Sequence, residues 1–585
     1  MKQDFHFSPR PNRAAEISWR RWEPAAFEEA RTEDKPLLLA ISAVWCHWCH
    51  VMDETTYSDE AVIRTINERY IPVRVDNDRR PDINARYNMG GWPTTALLTP
   101  DGSILTGATY VPPQQMQRLL EQIETFYREN KADIQERIPR PSESKRFPQT
   151  GESSELRASI VTAVLQQIRQ AYDSEYGGFG SEPKFPQTDL LELLLLEHRV
   201  SGDSSAYEMA AKTMLGMSRG GMYDHVEGGF FRYSTTRDWS VPHFEKMAED
   251  HAGLMRALTG LIESGKNPEF AATLKSTLGY LQNVLLDPQT GFFAGSQDAD
   301  EAYYALPLEE RRAASAPYVD RTVYANWNAD LAAALLGAAR VTEDPMTLSI
   351  ALRVLEGLNE TFVDESGLLY HYAIAGEKPQ TRGLLTDQSK YLRALLDAYE
   401  TTGESKFLQR GANLADVVIA RFVAQEGGFY DRLSDSEELG RLAIKDRPLA
   451  ENALMAASLL RLAALTGDDA YRARAERTLA VYARTYGSAG TFAAPYAMAL
   501  QRFLGEPLSV VLVGAPAQTE ELREAAYHLP AALVDIRTVD PKDGASMRVH
   551  GFEDLSVPSA ILCRGTACTA PVNSAEDLRL AFDKL

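Results

Sequence analysis

The chain has only four cysteines among its 585 residues, and two of them stand in the stretch Cys46-His-Trp-Cys49. In a reducing compartment, so few cysteines are better explained as reactive or incidental thiols than as structural staples. Basic residues are also scarce, with 61 lysines and arginines against 82 acidic residues and a formal net charge of -21. Because no basic stripe offsets this negative charge, nucleic acid is excluded as an expected partner.

Long apolar runs are missing as well. Residues 1–10 contain no apolar core of the kind that a secretory signal needs, and no later run approaches the roughly 18 to 20 apolar residues of a membrane span. We therefore expect a cytoplasmic protein that does not contact a membrane. A chain of 585 residues is too long for a single core, so two or three domains are expected.

The cysteine pair lies where a buried strand is predicted to give way to a helix. Residues 35–42 are largely apolar, which is typical of a strand covered on both faces. Because a helix N-terminus stabilises a thiolate, Cys46 is the expected nucleophile and Cys49 the expected resolving thiol. A zinc site and inert packing remain alternatives. A closed zinc site usually draws a second cysteine pair from nearby chain, and none is found, so we expect no metal and no cofactor.

Helices and strands alternate after the cysteines, and a proline, Pro93, precedes the strand predicted at 95–98. With this order and the cysteine pair, the region from about 20 to 135 resembles the thioredoxin superfamily. The resemblance implies that Trp92, Pro93 and Thr94 present backbone to a bound peptide or thiol. The superfamily's buried acid, six positions before the first cysteine, is replaced by Ala40, which leaves its proton-shuttling role unassigned.

The middle of the chain has a different texture. Residues 137–152 are rich in proline, serine and charge, and we predict a linker there. Six loops farther on carry glycine followed by an aromatic or apolar residue, at 177–179, 228–230, 291–293, 367–370, 427–429 and 490–492. Twelve amphipathic helices are predicted around these loops, at about 155–172, 188–200, 204–219, 247–264, 268–285, 328–341, 346–363, 387–402, 405–422, 450–466, 469–486 and 492–504.

Six helix pairs can close into a ring in which the loop aromatics pave one mouth, and an open solenoid is the alternative. The pattern resembles the (α/α)6 barrel of six-hairpin glycosidases and of the N-acylglucosamine 2-epimerase group. If the ring closes, the loops face a common cavity. His243 with Glu245, or His225 with Asp224, would then supply a general acid and base. The alternative is that these groups cap helices and pair with one another.

Other loop residues are candidates for binding a substrate in that cavity. Arg232 and Lys246 are suited to a carboxylate or oxyanion, and Trp239 and Trp327 offer flat faces on which sugar rings pack. The remaining substrate-binding candidates are Asp298, Asp300, Asn328 and Asp387.

Motifs along the whole chain point to one family. They are Cys46-His-Trp-Cys-His-Val-Met52, Gly91-Trp-Pro93, Pro183-Lys-Phe-Pro186, Tyr223-Asp-His225, Val241-Pro-His-Phe-Glu-Lys-Met247 and Cys563-Arg-Gly-Thr-Ala-Cys568. On these motifs the chain resembles the thioredoxin domain-containing family that includes spermatogenesis-associated protein 20. One departure is that the family's long insertion after Asp298-Ala-Asp300 is reduced here to residues 301–325.

The C-terminal part reads as a small α/β segment, in which Cys563 and Cys568 are close enough to bridge as a second thiol pair or lie buried as free thiols. We therefore predict a multidomain chain. It consists of a thioredoxin-like α/β domain at 1–136, a linker at 137–152, an (α/α)6 barrel at 153–505 and a small α/β appendage at 506–585.

Three functions fit the sequence. The first is a thiol-disulfide oxidoreductase or redox sensor acting on a thiol-bearing client protein. The second is a barrel enzyme that epimerises, isomerises or hydrolyses a sugar. The third is a non-catalytic scaffold. We favour the first because the cysteine motif is the sharper signal. The sequence makes no prediction about oligomeric state.

Overall fold

The computed structural model describes residues 5–137, 155–433, 438–531, 533–542, 555–565 and 567–585. Apart from Arg137, the predicted linker lies outside these residues. The chain divides into two compact units, one comprising Met1–Gln149 and Asp431–Asp446 and the other Thr150–Tyr430 and Arg447–Leu585.

The N-terminal domain is built around a four-stranded sheet in the order β2-β1-β3-β4, in which β1 and β2 are parallel and the other neighbours antiparallel. Strand β1 is buried on both faces. Leu37, Leu39 and Ile41 pack into one core, and Leu38 and Ala40 pack into the other. The elements are α1 Pro24–Glu33, β1 Leu37–Ser42, α2 His47–Glu54, α3 Glu60–Arg69, β2 Ile71–Asp76, α4 Pro81–Tyr87, β3 Thr94–Leu98, β4 Ile104–Ala108, α5 Pro113–Glu129 and α6 Lys131–Arg137. The predicted thioredoxin-like fold is confirmed.

One segment from the middle of the chain, Asp431–Asp446, belongs to the first compact unit. The guanidinium of Arg86 donates to both carboxylate oxygens of Asp431, at 2.8 and 3.2 Å. The Tyr87 hydroxyl accepts a hydrogen bond from Arg441 N at 2.7 Å, and Leu442 enters the core beside β1. The barrel sequence is therefore interrupted by a segment that packs with the thioredoxin-like domain.

The second unit contains the predicted barrel. Its helices are α7 Ala158–Ala171, α8 Thr188–Ser201, α9 Ser204–Arg219, α10 Ala248–Ser264, α11 Pro268–Tyr280, α14 Ala325–Thr342, α15 Pro345–Thr361, α16 Leu385–Thr402, α17 Ser405–Phe422, α18 Leu449–Thr466, α19 Asp469–Ala480 and α20 Ala494–Leu504. Two short helices, α12 Glu301–Tyr304 and α13 Leu308–Ala313, lie in a loop. Short strands in the loops are β5 Tyr233–Ser234, β6 Pro242–His243, β7 Lys246–Met247, β8 Ser296–Gln297, β9 Val319–Asp320, β10 Val323–Tyr324, β11 Tyr370–Ala373 and β12 Gln380–Arg382.

The barrel is closed. Helices α8, α10, α14, α16, α18 and α20 pack against one another in that order, and α20 packs back against α8. Each inner helix also packs against an outer partner, so an open solenoid is wrong. Helix α18 has the length and apolar composition of a membrane-spanning helix, although no such segment was predicted from the sequence. In this fold it is one of the six inner helices.

Five of the six glycine loops share a backbone bridge, in which a residue between the outer helix and the glycine pairs with a residue that follows the glycine. The bridged pairs are Tyr172 and Phe179, Tyr223 and Phe230, Leu286 and Phe293, Val363 and Leu369, and Val423 and Phe429. The second residue of each pair is buried. We predicted that these aromatic side chains line one open end of the barrel. That prediction is wrong, because the side chains are buried in the core. The sixth motif differs, since Phe492 is 74% exposed.

The C-terminal domain has a sheet of order β14-β13-β15-β16, with β13 and β14 parallel and the other neighbours antiparallel. Its elements are β13 Leu508–Val513, α21 Glu520–Tyr527, β14 Val534–Val539, β15 Ser559–Arg564, β16 Ala567–Cys568 and α22 Ala575–Phe582. A helix joins the two parallel strands, and Pro558 directly precedes the third strand as Pro93 does in the N-terminal domain. The predicted appendage therefore repeats the strand order of the thioredoxin-like domain.

Candidate functional site

Cys46 and Cys49 form a disulfide at the start of α2, with their Cα atoms 5.2 Å apart. Cys46 is the residue that caps the helix, and its sulfur accepts a hydrogen bond from Cys49 N at 3.1 Å. Both cysteines are buried. In the reduced protein, the Cys49 N–H and the N-terminus of α2 would stabilise a thiolate at Cys46.

The loop before β3 reaches the same edge of the sheet, since Thr94 pairs with Ile41 near the end of β1. Trp92 packs edge-on against Trp45 with ring centroids 5.5 Å apart, and its indole N–H donates to Asn84 at 3.1 Å. Thr94 is fully buried, and its hydroxyl donates to Gly91 O at 2.7 Å. The side chain of Thr94 therefore braces the Pro93 loop, and only its backbone remains a candidate for ligand contact.

A buried acid near the cysteines lies at a position that the sequence did not suggest. Asp53 is one turn beyond Cys49 on α2, and both of its oxygens accept hydrogen bonds from Arg74 at 2.9 Å. Arg74 stands on β2 directly opposite Ala40. The small side chain of Ala40 thus lies on the strand next to Arg74, which forms the buried ion pair. Because both oxygens of Asp53 are bonded to Arg74, this carboxylate is not free to act as a base.

Exposed aromatic surface adjoins the cysteine turn. Trp48 lies between the cysteines, is 50% exposed, and packs on Tyr110 with ring centroids 5.2 Å apart. On the other side of α2, His50 lies 5.9 Å from His6 between ring centroids. Burial lowers the pKa of His6 to about 4, and the nearby His50 and Arg74 act in the same direction. An apolar, partly exposed surface is therefore available beside Cys46.

In the barrel, several residues that were predicted to bind substrate form hydrogen bonds with the backbone of the glycine loops. The Asn328 side chain accepts from Phe293 N at 2.8 Å and donates to Phe293 O at 3.0 Å. The fourth residues of α10, α16 and α18 make the matching contact with their own loops, through His251 to Phe230, Gln388 to Leu369 and Asn452 to Phe429. Because Asn328 is one of four equivalent residues, its role is structural.

Asp224 and Lys246 also serve a loop. The Lys246 ammonium is fully buried and donates to Asp224 at 2.7 Å and to Gly228 O at 2.8 Å. Arg311 donates to the same Asp224 oxygen at 2.7 Å. Lys184 repeats the arrangement in the preceding loop with Asp173 and Gly177 O. The predicted roles of Asp224 in acid-base chemistry and of Lys246 in oxyanion binding are therefore corrected to a buried ion-pair network.

Trp239 is another correction. Its side chain is fully buried, and the indole N–H donates to Tyr176 O at 3.1 Å. A Cβ atom on Gly178 would lie 2.4 Å from the Trp239 ring, so the glycine of this loop permits the close approach. Trp327 is likewise buried, with its ring 4.3 Å from that of Tyr324 between centroids. Neither tryptophan offers an open face to a sugar.

The two predicted histidine pairs have different outcomes. His225 is exposed and contacts Gly220 O at 3.2 Å, so it does not pair with Asp224. His243 is hydrogen-bonded through Nδ1 to the buried Glu245. The imidazole stacks on Tyr233, which stacks in turn on Phe185, with centroid distances of 4.9 and 4.7 Å. The pair of His243 and Glu245 stays a candidate.

Asp250, which was not among the predicted site residues, has a strongly raised pKa. Burial raises its pKa to about 7; Arg232 opposes the shift, whereas Glu249 and Glu245 add to it. Its Oδ2 atom is buried and accepts no hydrogen bond. We call Arg232, Glu245, Glu249, Asp250 and Lys390 the loop-end cluster. Within it, Lys390 donates to Glu249 at 3.1 Å.

A second acid occupies the equivalent helix position. Asp387 is the third residue of α16, as Asp250 is of α10. Asp387 is fully buried and accepts from His371 Nδ1 at 2.8 Å, while its Oδ2 atom accepts no hydrogen bond. Burial raises the pKa of Asp387 against the opposing effect of His371. The sequence signal that could have revealed Asp250 is this shared position in two repeats.

Two further predicted residues, Asp298 and Asp300, accept hydrogen bonds from backbone N–H groups. Asp300 caps α12 by accepting from Tyr303 N at 2.9 Å, and Asp298 accepts from Ala299 N at 2.8 Å. Cys563 and Cys568 form a second disulfide, so the alternative of two buried free thiols is wrong. No group of three or more potential metal ligands occurs among the residues that the structure describes.

The structure thus defines a chain that joins a thioredoxin-like domain with a paired Cys-x-x-Cys motif to a closed (α/α)6 barrel. Residues 10–144 match the family described as Thioredox_DsbH, protein of unknown function, DUF255. Human spermatogenesis-associated protein 20 is 25% identical over 96% of this chain and 89% of its own length. The uncharacterized protein B0495.5 of Caenorhabditis elegans is 23% identical over 97% of this chain and 95% of its own length. The family resemblance inferred from the motifs is confirmed.

Solved structures are similar to part of the chain. Cellobiose 2-epimerase from Bacillus thermoamylovorans B4167 aligns with a TM-score of 0.49 and 14% identity, over 59% of this chain and 98% of the epimerase.

Proposed function

We propose that this protein is a cytoplasmic thiol-disulfide oxidoreductase whose active thiols are Cys46 and Cys49. The main support for this proposal is that Cys46 caps the N-terminus of α2, where its sulfur accepts a hydrogen bond from a backbone N–H. A thiolate at this position is stabilised by the helix N-terminus and is the reactive form in disulfide exchange.

The reaction balances as a two-electron exchange. The Cys46 thiolate attacks a substrate disulfide, a mixed disulfide forms, and one substrate sulfur leaves as a thiolate. Cys49 then attacks the Cys46 sulfur, which releases the second substrate thiolate and forms the Cys46–Cys49 disulfide. The two protons of the dithiol pass to the two product thiolates, and an external dithiol regenerates the reduced pair.

The exposed surface of Trp48 and the backbone around Pro93 suit an extended polypeptide better than a small polar molecule. We therefore propose a client protein or peptide as the substrate. The buried pair of Asp53 and Arg74 provides no free carboxylate beside Cys49, so the proton that the Cys49 thiol loses passes to solvent or to the substrate thiolate.

The test is the reduction of a fluorescent peptide disulfide by the full-length protein with limiting dithiothreitol. Wild type should accelerate the reduction, Cys46→Ser should abolish the acceleration, and Cys49→Ser should accumulate a mixed disulfide at Cys46 that mass spectrometry identifies. Circular dichroism of the variants controls for folding. Equal rates for wild type and Cys46→Ser would refute the proposal.

We propose acid-base chemistry on a sugar in the barrel as the second candidate, because Asp250 combines a pKa of about 7 with an oxygen that accepts no hydrogen bond. A group with this pKa exchanges protons readily at neutral pH. The test is a screen of neutral mono- and disaccharides for binding and turnover with wild type, Asp250→Asn and, as a control outside the cluster, His225→Ala. Activity lost only in Asp250→Asn supports this candidate, and activity that is retained in Asp250→Asn contradicts it.

A further inference from the structure

A cavity of about 320 Å³ lies between inner helices of the barrel, wholly within the second compact unit. Its walls come mainly from the C-terminal halves of α8, α10, α14 and α16, and Tyr527 and Leu533 of the C-terminal domain add to them. The loop-end cluster lies near the N-terminal ends of α10 and α16. Thr259 of the cavity is about 13 Å farther along α10 than Asp250, at a rise of about 1.5 Å per residue. The cavity is therefore separate from that cluster, and its volume falls within the range of about 300–1,000 Å³ that is typical of small-molecule sites.

Positive charge is in excess at one place on the cavity wall. The guanidinium groups of Arg199 and Arg340 both pair with a single carboxylate, that of Glu263, and the Arg199 contact is 3.5 Å long. The Arg340 guanidinium also lies over the ring of Tyr527, 4.5 Å from its centroid, which fixes its orientation. Two cations that share one carboxylate can accept a second anion.

Negative charge is in excess at another place on the wall. The Arg461 guanidinium pairs with two carboxylates that line the cavity, Asp397 at 2.7 Å and Glu400. The second oxygen of Glu400, Oε1, is buried and accepts no hydrogen bond from the residues that the structure describes. Burial raises the pKa of Glu400; Arg461 opposes the shift, and Asp535 adds to it. A cationic donor in the cavity would satisfy this oxygen.

A hydroxyl group on the same wall also has no partner. A threonine hydroxyl inside a helix commonly donates to the carbonyl one turn before it. Thr213, Thr342 and Thr402 do so, at 2.8, 2.7 and 2.7 Å. Thr259 lines the cavity from α10, and its buried hydroxyl makes no hydrogen bond with any part of the chain that the structure describes. This hydroxyl is therefore available to a ligand.

The cavity thus presents separate sites for an anion and a cation, together with apolar side chains, which are Leu195, Leu196, Leu336, Met498 and Leu533. We propose that it binds a free amino acid with an apolar side chain. The ammonium group of the amino acid donates to Glu400 and Thr259, its carboxylate accepts from Arg199 and Arg340, and its side chain packs on the apolar wall. This site depends neither on the cysteine pair nor on the loop-end cluster.

The first experiment measures binding to the full-length protein by isothermal titration calorimetry. The probes are L-leucine and two analogues of similar shape, 3-methylbutylamine, which lacks the carboxylate, and 4-methylpentanoate, which lacks the ammonium group. We expect L-leucine to bind and each analogue to bind about tenfold more weakly or less, because each lacks one charged contact. Absence of L-leucine binding, or equal binding of L-leucine and either analogue, would overturn the proposal.

The second experiment locates the site by filling the cavity. Gly337 lines it, and a Cβ atom there would meet only the Thr259 side chain, 3.5 Å away at the nearest. Gly337→Leu therefore places a larger side chain in the cavity without removing a charge. The matched control is Gly279→Leu on the outer helix α11, where an added Cβ would have no described atom within 4 Å.

Thermal unfolding with and without L-leucine is the measurement. L-leucine should raise the Tm of wild type and of Gly279→Leu but not that of Gly337→Leu. Glu400→Gln keeps the shape of the cavity and should weaken L-leucine binding about tenfold or more, and it carries the test if Gly337→Leu does not fold. Circular dichroism controls for folding. If L-leucine stabilises folded Gly337→Leu or Glu400→Gln as much as it stabilises wild type, this cavity is not the binding site.

Discussion

The N-terminal domain and the barrel use their polar residues for different purposes. In the N-terminal domain, Cys46 and Cys49 lie where the helix start and the Pro93 loop meet, as their spacing indicates. In the barrel, Asn328, Asp224 and Lys246 fix the glycine loops. The polar residue at the fourth position of four inner helices holds the backbone of the preceding glycine loop. The third position of α10 and α16 instead carries an acid, Asp250 or Asp387, with one oxygen that accepts no hydrogen bond. Position within the repeat therefore separates structural from candidate catalytic residues.

The largest expected effect in the barrel concerns the buried lysines. Lys246→Met leaves the carboxylate of Asp224 with one cationic partner fewer, and breaking a buried ion pair costs about 3–5 kcal/mol. Lys184→Met should cost a similar amount because Lys184 occupies the matching position in the preceding loop. Urea unfolding of the full-length variants measures both. If the Lys246→Met protein is as stable as wild type but no longer binds a sugar ligand, Lys246 binds substrate and does not only hold its loop.

A smaller effect is expected for the amides that hold the loops. Asn328→Ala and Asn452→Ala each leave a buried backbone N–H and C=O without a partner, which costs about 1–3 kcal/mol. The two values should agree, because the contacts are equivalent. Thermal unfolding provides the measurement, with the exposed Gln409→Ala as the control. A much larger loss for Asn328 than for Asn452 would argue that Asn328 does more than hold its loop.

The protonation of Asp250 should make the free energy of unfolding depend on pH. Its folded-state pKa of about 7 exceeds the value of about 3.9 for an unfolded aspartate, so the folded protein binds more protons between these values. Its contribution to stability is therefore present at low pH and is lost as the pH rises toward 7. Asp250→Asn should gain stability relative to wild type on going from pH 5 to pH 8, as measured by urea unfolding. The control is Glu301→Gln at an exposed site, and a pH-independent difference for Asp250→Asn would contradict the assignment.

The smallest effect is expected at His225. Its side chain is exposed and contacts a backbone carbonyl, and surface substitutions of this kind change stability by about 0.5 kcal/mol or less. His225→Ala should also leave the pH dependence of unfolding unchanged. A marked change in either quantity would show that this loop has a role that its geometry does not indicate.

The sequence predicted all twelve barrel helices, because helical periodicity is a local signal. It did not predict that Asp431–Asp446 packs with the N-terminal domain, since Arg86 and Asp431 are paired across a long sequence separation. The thioredoxin strand order of the C-terminal domain was also missed, because pairing order among short strands leaves no periodic pattern. The pairing of Cys46 with Cys49 could be expected from their spacing alone. For Asp250 the sequence offers only the helix position that it shares with Asp387, because its raised pKa depends on neighbours brought together by folding.

The most direct test of Cys46 and Cys49 as redox-active thiols is a redox titration of the full-length protein with mass-tagged thiol counting, in wild type and in Cys46→Ser. We expect wild type to show a reversible two-electron couple assigned to Cys46 and Cys49, and we expect this couple to disappear in Cys46→Ser while the fold is retained. Thiols at Cys46 and Cys49 that never pair under oxidising conditions, or that bind a metal ion instead, would contradict it.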